Sequence, residues 1–167
     1  SIGGVENLKP AGVFKPSHEL KEIIRRGVPI AFRPTVWMRV SLASQHQRDF
    51  PEGYYSQLLD RVKEELDPQV MDDIEKDIDR TFPEHDYFSD TTGEGITSLR
   101  RILQAYALHN QEVGYCQALN FLAGTMLLYM SSEEDAFWLF VTVVDTLLPR
   151  DYFSKSMVGM YVDQMVL

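Results

Sequence analysis

Few side chains in this sequence have types and spacings that suggest chemistry. Arg80 closes the acidic stretch "IEKDIDR" shortly before Pro83. At 100° per residue, Val70, Met71, Ile74 and Ile78 form the buried stripe of a helix, and Asp73, Asp77 and Arg80 fall along one flank of it. That spacing allows an i, i+3 ion pair between Asp77 and Arg80 at a helix C-terminus, where a cation also suits the macrodipole, each effect worth about 0.3–0.5 kcal/mol. Taken alone, the spacing says nothing about catalysis. Gln117, in "GYCQALN", sits where a polar side chain can satisfy free backbone groups at a helix start. Cys116 beside Tyr115, with His85 or His109 as base, has the makings of a nucleophile, but no feature sets up an oxyanion site or a third orienting group. A buried, inert thiol is the simpler reading. His85 lies between Glu84 and Asp86 without H-E-x-x-H or paired Cys/His spacing, so no metal is expected. "DPQVMDDIEKDIDR" has the carboxylates of a calcium loop but lacks its glycine and final glutamate.

The segments that must position these groups are helical throughout, since no stretch sustains period-two alternation. An all-α fold is expected. "PSHELKEIIRRG" has Ser17 as N-cap, Leu20, Ile23 and Ile24 as an inward face, and Gly27 as terminator. "RPTVWMRVSLASQ" starts on Pro34 and turns Val36, Trp37 and Val40 inward. "PEGYYSQLLDRVKEEL" carries an apolar stripe from Tyr54 to Leu66, and "DPQVMDDIEKDIDR" opens on Asp67 and Pro68. "SLRRILQAYALH" reads as a surface helix, whereas "ALNFLAGTMLLYM" is apolar on nearly every side and reads as the central one. The latter run is shorter than the roughly 20 residues a membrane span needs. "SSEEDAFWLFVTVVDTLLP" follows with a capping-box spacing from Ser131 to Glu134. The long irregular stretch at about 82–95 is expected to be functional or mobile, and the uncapped "SMVGMYVDQMVL" reads as a helix cut short.

A net charge of −9 leaves no basic stripe for a nucleic-acid backbone, so nucleic acid is not an expected partner. The single cysteine and the absence of a signal-peptide pattern fit a cytoplasmic location. Arg25 and Arg26 are too few to anchor the chain on acidic lipid. No G-x-x-x-x-G-K-[ST] loop occurs, so the chain is expected neither to bind nor to hydrolyse a nucleotide by itself.

Three signatures in order, R-x-x-x-W at Arg33 to Trp37, I-x-x-D-x-x-R at Ile74, Asp77 and Arg80, and Y-x-Q at Tyr115 and Gln117, resemble the TBC domain family of Rab GTPase activators. The resemblance covers residues 20–167, with 1–19 as a lead-in, and implies the N-terminal lobe of a longer all-helical domain. It also implies a function: activation in trans of a Rab-type GTPase in its GTP-bound form, in vesicle trafficking. By this resemblance Arg80 is an arginine finger and Gln117 a glutamine finger, while Asp77 holds Arg80, Tyr115 anchors the segment bearing Gln117, and Trp37, Arg33 and Ile74 support the frame. No cofactor of its own is implied, because GTP and Mg²⁺ travel with the partner. The membrane is reached only through the Rab, by recruitment to endomembranes. Members commonly carry glycine after this glutamine. Here Ala118 stands instead, which predicts strain if the backbone there takes positive φ. An alternative from another class is a catalytically silent module that binds small GTPases as a scaffold. Self-association through the apolar C-terminal segment is a further expectation.

Overall fold

Helix starts are set by side chains that accept hydrogen bonds from otherwise free backbone amides. The computed structural model describes residues 17–149 and 152–153. Ser17 accepts from Leu20 N–H at 3.1 Å and opens α1 (His18–Arg25). Asp67 accepts from Gln69 N–H at 2.8 Å and, with Pro68 in the first turn, opens α5 (Pro68–Ile78). Ser132 accepts from Asp135 N–H at 3.1 Å and opens α8 (Glu133–Thr142). The cap therefore falls one residue later than the Ser131 to Glu134 spacing predicts. The other helices are α2 (Arg33–Val40), α3 (Ala43–Arg48), α4 (Tyr54–Glu65), α6 (Glu94–His109) and α7 (Leu119–Tyr129). A short 3₁₀ turn, Ile30–Phe32, precedes α2, and α8 runs on into a π-helical turn, Val143–Leu147. No strand occurs among the described residues, and the fold is all-α. Residues 1–16 of the lead-in expected over 1–19, and the helix expected from residue 157, lie outside the described residues.

The core is built around α6, which packs against α4, α5, α7 and α8. Leu99, Ile102, Leu103 and Tyr106 are fully buried, each worth about 1.5–3 kcal/mol for the apolar area it withdraws from water. This corrects the expectation of a surface helix. Gly95, Ser98, Ala105 and Ala107 are also buried, and their small side chains let neighbours approach α6 on its remaining faces. The largely apolar α7 is correspondingly less central than expected, with Phe121 39% and Tyr129 45% exposed. The α1 stripe does not reach the core either. None of its residues is buried, and Ile23 is 54% exposed, because this short helix lies at the edge of the bundle. In α2 Met38 is the buried residue, while Val36, Trp37 and Val40 are half-buried.

The irregular stretch after α5 is tied down by its own residues. Phe88 is buried, successive turns run from Phe82 to His85 and from His85 to Phe88, and Gly95 passes beneath the Tyr87 carbonyl, where a Cβ would stand 1.9 Å from the oxygen.

Beside the core lies a polar knot. Tyr106 donates to Asp145 at 2.7 Å, the Asn110 amide donates to it at 2.9 Å, and His109 Nε2 stands 3.4 Å from its other oxygen. Burial works to raise the Asp145 pKa, but the hydrogen bonds from His109, Tyr106 and Asn110 outweigh it and hold the carboxyl below its usual range. A depressed folded pKa stabilises the fold above the unfolded value of about 3.9 and ceases to do so as pH falls through the folded value. Asp145→Asn is therefore expected to lower stability at pH 7 by about 1.5–3 kcal/mol. In denaturant melts at several pH values the deficit should shrink below about pH 4; a deficit constant down to pH 2 would contradict this account.

Candidate functional site

The end of α5 presents the first part of the site. The Arg80 guanidinium pairs through Nη2 with Asp77 Oδ1; the arginine side chain is 55% exposed, whereas that of Asp77 is 6% exposed. The other Asp77 oxygen accepts the Tyr115 hydroxyl at 2.6 Å. A buried carboxylate is stable only when paired and hydrogen-bonded, and Arg80 with Tyr115 meets that need from two separate segments. Burial, reinforced by the hydrogen bond to Asp77, pushes the Tyr115 phenol well above its ordinary pKa, so it remains a donor at physiological pH. Asp77 thus holds Arg80 at the helix end with its outer edge toward solvent.

The second part is a tight reversal after α6. Gly114 N–H donates to Asn110 O at 2.7 Å, Val113 N–H donates to the Asn110 side chain at 3.1 Å, and Gly114 takes φ +62°. The chain then returns along α5 through Tyr115 and Cys116. Gln117 is exposed, and among the described residues no side-chain hydrogen bond restrains it. Ala118 follows at φ +86°, ψ −23°, as the N-cap of α7, with no side-chain capping bond. The strain anticipated from alanine at this position is present: a left-handed conformation costs an L-residue about 1–2 kcal/mol that glycine avoids. Ala118→Gly is expected to raise stability by about 1 kcal/mol in equilibrium denaturation. An unchanged or lower midpoint would mean that the turn is not under strain.

Arg80 and Gln117 meet at one cleft of about 340 Å³, bounded also by Asp73, Lys76, Asp77 and Tyr115. Lys76 is engaged by Asp72 at 2.5 Å and Asp73 at 3.2 Å, while Arg80 on the same rim pairs with Asp77. Ile74 is fully buried beneath it. Arg80 also borders an adjoining hollow with Phe82, Pro83, His85 and Phe121.

The remaining signature residues lie elsewhere. Arg33 donates through Nε to Val28 O at 2.9 Å and places its guanidinium 5.6 Å from the centre of the Tyr129 ring. With Trp37 it lines a separate apolar cleft of about 650 Å³ between α1, α2, α7 and α8. Trp37 packs on the core from its edge and is not enclosed by it.

Burial pushes the Cys116 thiol up to about 11, which leaves it a poor nucleophile. His85 is exposed and accepts from Tyr87 N–H at 3.1 Å. No group of three or more His, Cys, Asp or Glu arranged to hold a metal occurs among the described residues.

Asn120 and Thr81 were missed by sequence reasoning. Both are buried and both join the two parts of the site. The available signal was one asparagine inside an apolar helix, since a buried polar group must find partners.

The domain is thus all-helical and brings an arginine and a glutamine to one rim. Residues 30–167 match the Rab-GTPase-TBC domain family, and the chain belongs to that family. The crystal structure of the Chlamydomonas flagellar RabGAP TBC domain superposes with a TM-score of 0.73 at 39% identity, covering 83% of this chain and 48% of that one. The Ypt/Rab-GAP domain of Gyp1p superposes with a TM-score of 0.60 at 20% identity, covering 86% and 55%, and at that identity shows the fold alone. Human growth hormone-regulated TBC protein 1 is 43% identical over 161 residues, 96% of this chain and 46% of that protein. TBC1 domain family member 2A of Ailuropoda melanoleuca is 42% identical over 157 residues, 93% of this chain and 17% of that protein. The chain thus spans less than half the length of either of these relatives. No helix among the described residues is long and apolar enough to cross a membrane.

Proposed function

We propose that this domain accelerates GTP hydrolysis by a Rab-type GTPase, inserting Arg80 and Gln117 into a nucleotide pocket that belongs to the partner. The observation that carries the reading is the meeting of these two side chains at one cleft, the arginine oriented by a buried carboxylate and the glutamine exposed. Transfer of a phosphoryl group to water develops negative charge on the phosphate oxygens, and its catalysis is mostly positioning plus electrostatics. A guanidinium is always charged and offers a planar fork of donors. With Asp77 engaging one edge of Arg80, the remaining N–H groups are available to phosphate. A glutamine amide donates and accepts at once, so it can hold an attacking water while touching a phosphate oxygen. GTP and Mg²⁺ come with the partner, and so does contact with endomembranes from the cytoplasm.

The test is single-turnover hydrolysis by a panel of GTP-loaded Rabs with and without the protein. Acceleration of at least one supports the reading; none, with the protein folded, turns it to the scaffold. That second reading draws on the strained Ala118, which can displace Gln117. Titrating GTP into the isolated protein should show no binding, and tight binding would overturn action in trans. Self-association through residues 157–167 is to be measured separately by sedimentation.

A further inference from the structure

Asn120 stands fully buried in the first turn of α7, with every polar atom of its side chain engaged. Its Oδ1 accepts the Ala118 N–H at 3.2 Å. Its Nδ2 donates to Thr81 Oγ1 at 2.7 Å and lies 3.4 Å from the Asp77 carbonyl oxygen. Thr81 Oγ1 in turn donates to that same carbonyl at 2.7 Å. The bonds run in one direction, from the Ala118 amide through the Asn120 side chain and the Thr81 hydroxyl to the Asp77 backbone. At one end is the residue after Gln117; at the other is the residue whose carboxylate holds Arg80.

We infer that Asn120 is a positioning residue for both candidate fingers, one amide fixing the turn that presents Gln117 against the helix end that presents Arg80. The inference rests on the GTPase-activating reading above. A short amide suits the place, because the site needs a donor and an acceptor at the same reach: a carboxylate supplies only the acceptor, and an aliphatic side chain neither. Two further observations belong to the same arrangement. Ala118 lies in the left-handed region without a capping bond of its own, so the Asn120 bond is what holds its amide. Gly124, one turn on, leaves room for close approach: a Cβ there would stand 3.2 Å from Thr81 Cγ2 and from the Phe82 ring. The helix is drawn against the Thr81 side chain closely enough for the amide to span the gap.

The tie can be cut from either side. Asn120→Asp keeps the acceptor for Ala118 and removes the donor to Thr81, Thr81→Val removes the same link at nearly constant volume, and Thr81→Ser keeps the hydroxyl. With a Rab that responds to the wild type, kcat should fall about 10- to 100-fold in Asn120→Asp and Thr81→Val, as expected when a reacting group is misplaced by about 1 Å. KM should stay within about twofold, Thr81→Ser should retain most of the activity, and the double variant should be no worse than its weaker single, because both break one link. If Asn120→Asp does not fold, Thr81→Val and Thr81→Ser carry the comparison. Folded Thr81→Val with wild-type kcat, or with only a raised KM, overturns the inference. A wild type that activates no Rab defeats the proposed function instead, and the tie is then decided by amide exchange. The Ala118 amide should exchange several-fold faster in folded Thr81→Val than in wild type, and equal exchange overturns the inference.

Discussion

Arg80→Ala is expected to reduce single-turnover GTP hydrolysis on a responsive Rab by about 10³-fold or more, on the scale of arginine fingers. The substitution also removes one of the two partners of the buried Asp77 carboxylate, leaving Tyr115 to hold it. A loss of stability therefore accompanies the loss of rate, and melting curves are needed alongside the kinetics. Arg80→Lys separates the two effects. It keeps a cation near Asp77 and so should recover most of the stability, but it lacks the planar fork and should recover little of the rate. Binding to a transition-state mimic of the GTPase should weaken in step with the rate, and binding to the ground-state complex much less. Activity that survives Arg80→Ala would return the residue to the role its spacing alone assigns, as the partner of Asp77 at a helix end.

A GTPase whose own catalytic glutamine has been replaced by alanine gives the second large contrast. An activator that brings only an arginine leaves the attacking water unheld and should fail on such a partner. If Gln117 supplies the missing amide, this domain should still drive hydrolysis well above the mutant's intrinsic rate, and Gln117→Ala should remove most of that excess. Gln117 is exposed and held by no side-chain bond among the described residues, so its replacement should leave the melting temperature close to wild type, unlike that of Arg80. Wild-type rates from Gln117→Ala on this partner would leave Arg80 as the sole finger. Failure of the unmodified domain here, together with success of Ala118→Gly, would place the fault in the turn, since glycine relaxes the φ of +86° that alanine occupies under strain.

What could be read from the sequence follows the reach of the interactions. The start of α5 at Asp67 and Pro68 and the pairing of Asp77 with Arg80 lie within one or two helical turns, so residue type and spacing were enough to locate them. The Tyr115 to Asp77 bond spans 38 residues and the Asn120 to Thr81 bond spans 39, and neither follows from any local pattern. Motif resemblance named Tyr115 and Asp77 in separate roles without pairing them, and packing revealed both bonds. The misplaced centre has a related cause. A periodic pattern counts apolar residues around one helix, whereas depth in the bundle depends on how closely neighbours approach. The small residues of α6 admit them on several sides, while Phe121 and Tyr129 leave part of α7 open to solvent. At the start of α8 two adjacent serines offered the same chemistry, and spacing could not choose between Ser131 and Ser132.

The stretch between α5 and α6 is fastened by Phe88 and by the missing side chain at Gly95, both away from its outer edge. The exposed Pro83 and Glu84 on that edge adjoin Arg80, and neither side chain takes part in the fastening, whereas His85 next to them joins both turns. Substitution at those two positions should therefore cost folding little, much as an antibody varies its loop tips on a constant frame. Gly95 is different: any larger residue there would place a Cβ 1.9 Å from the Tyr87 carbonyl oxygen and force the backbone to shift. Such a division would let the surface beside Arg80 change while the frame that positions Arg80 is kept.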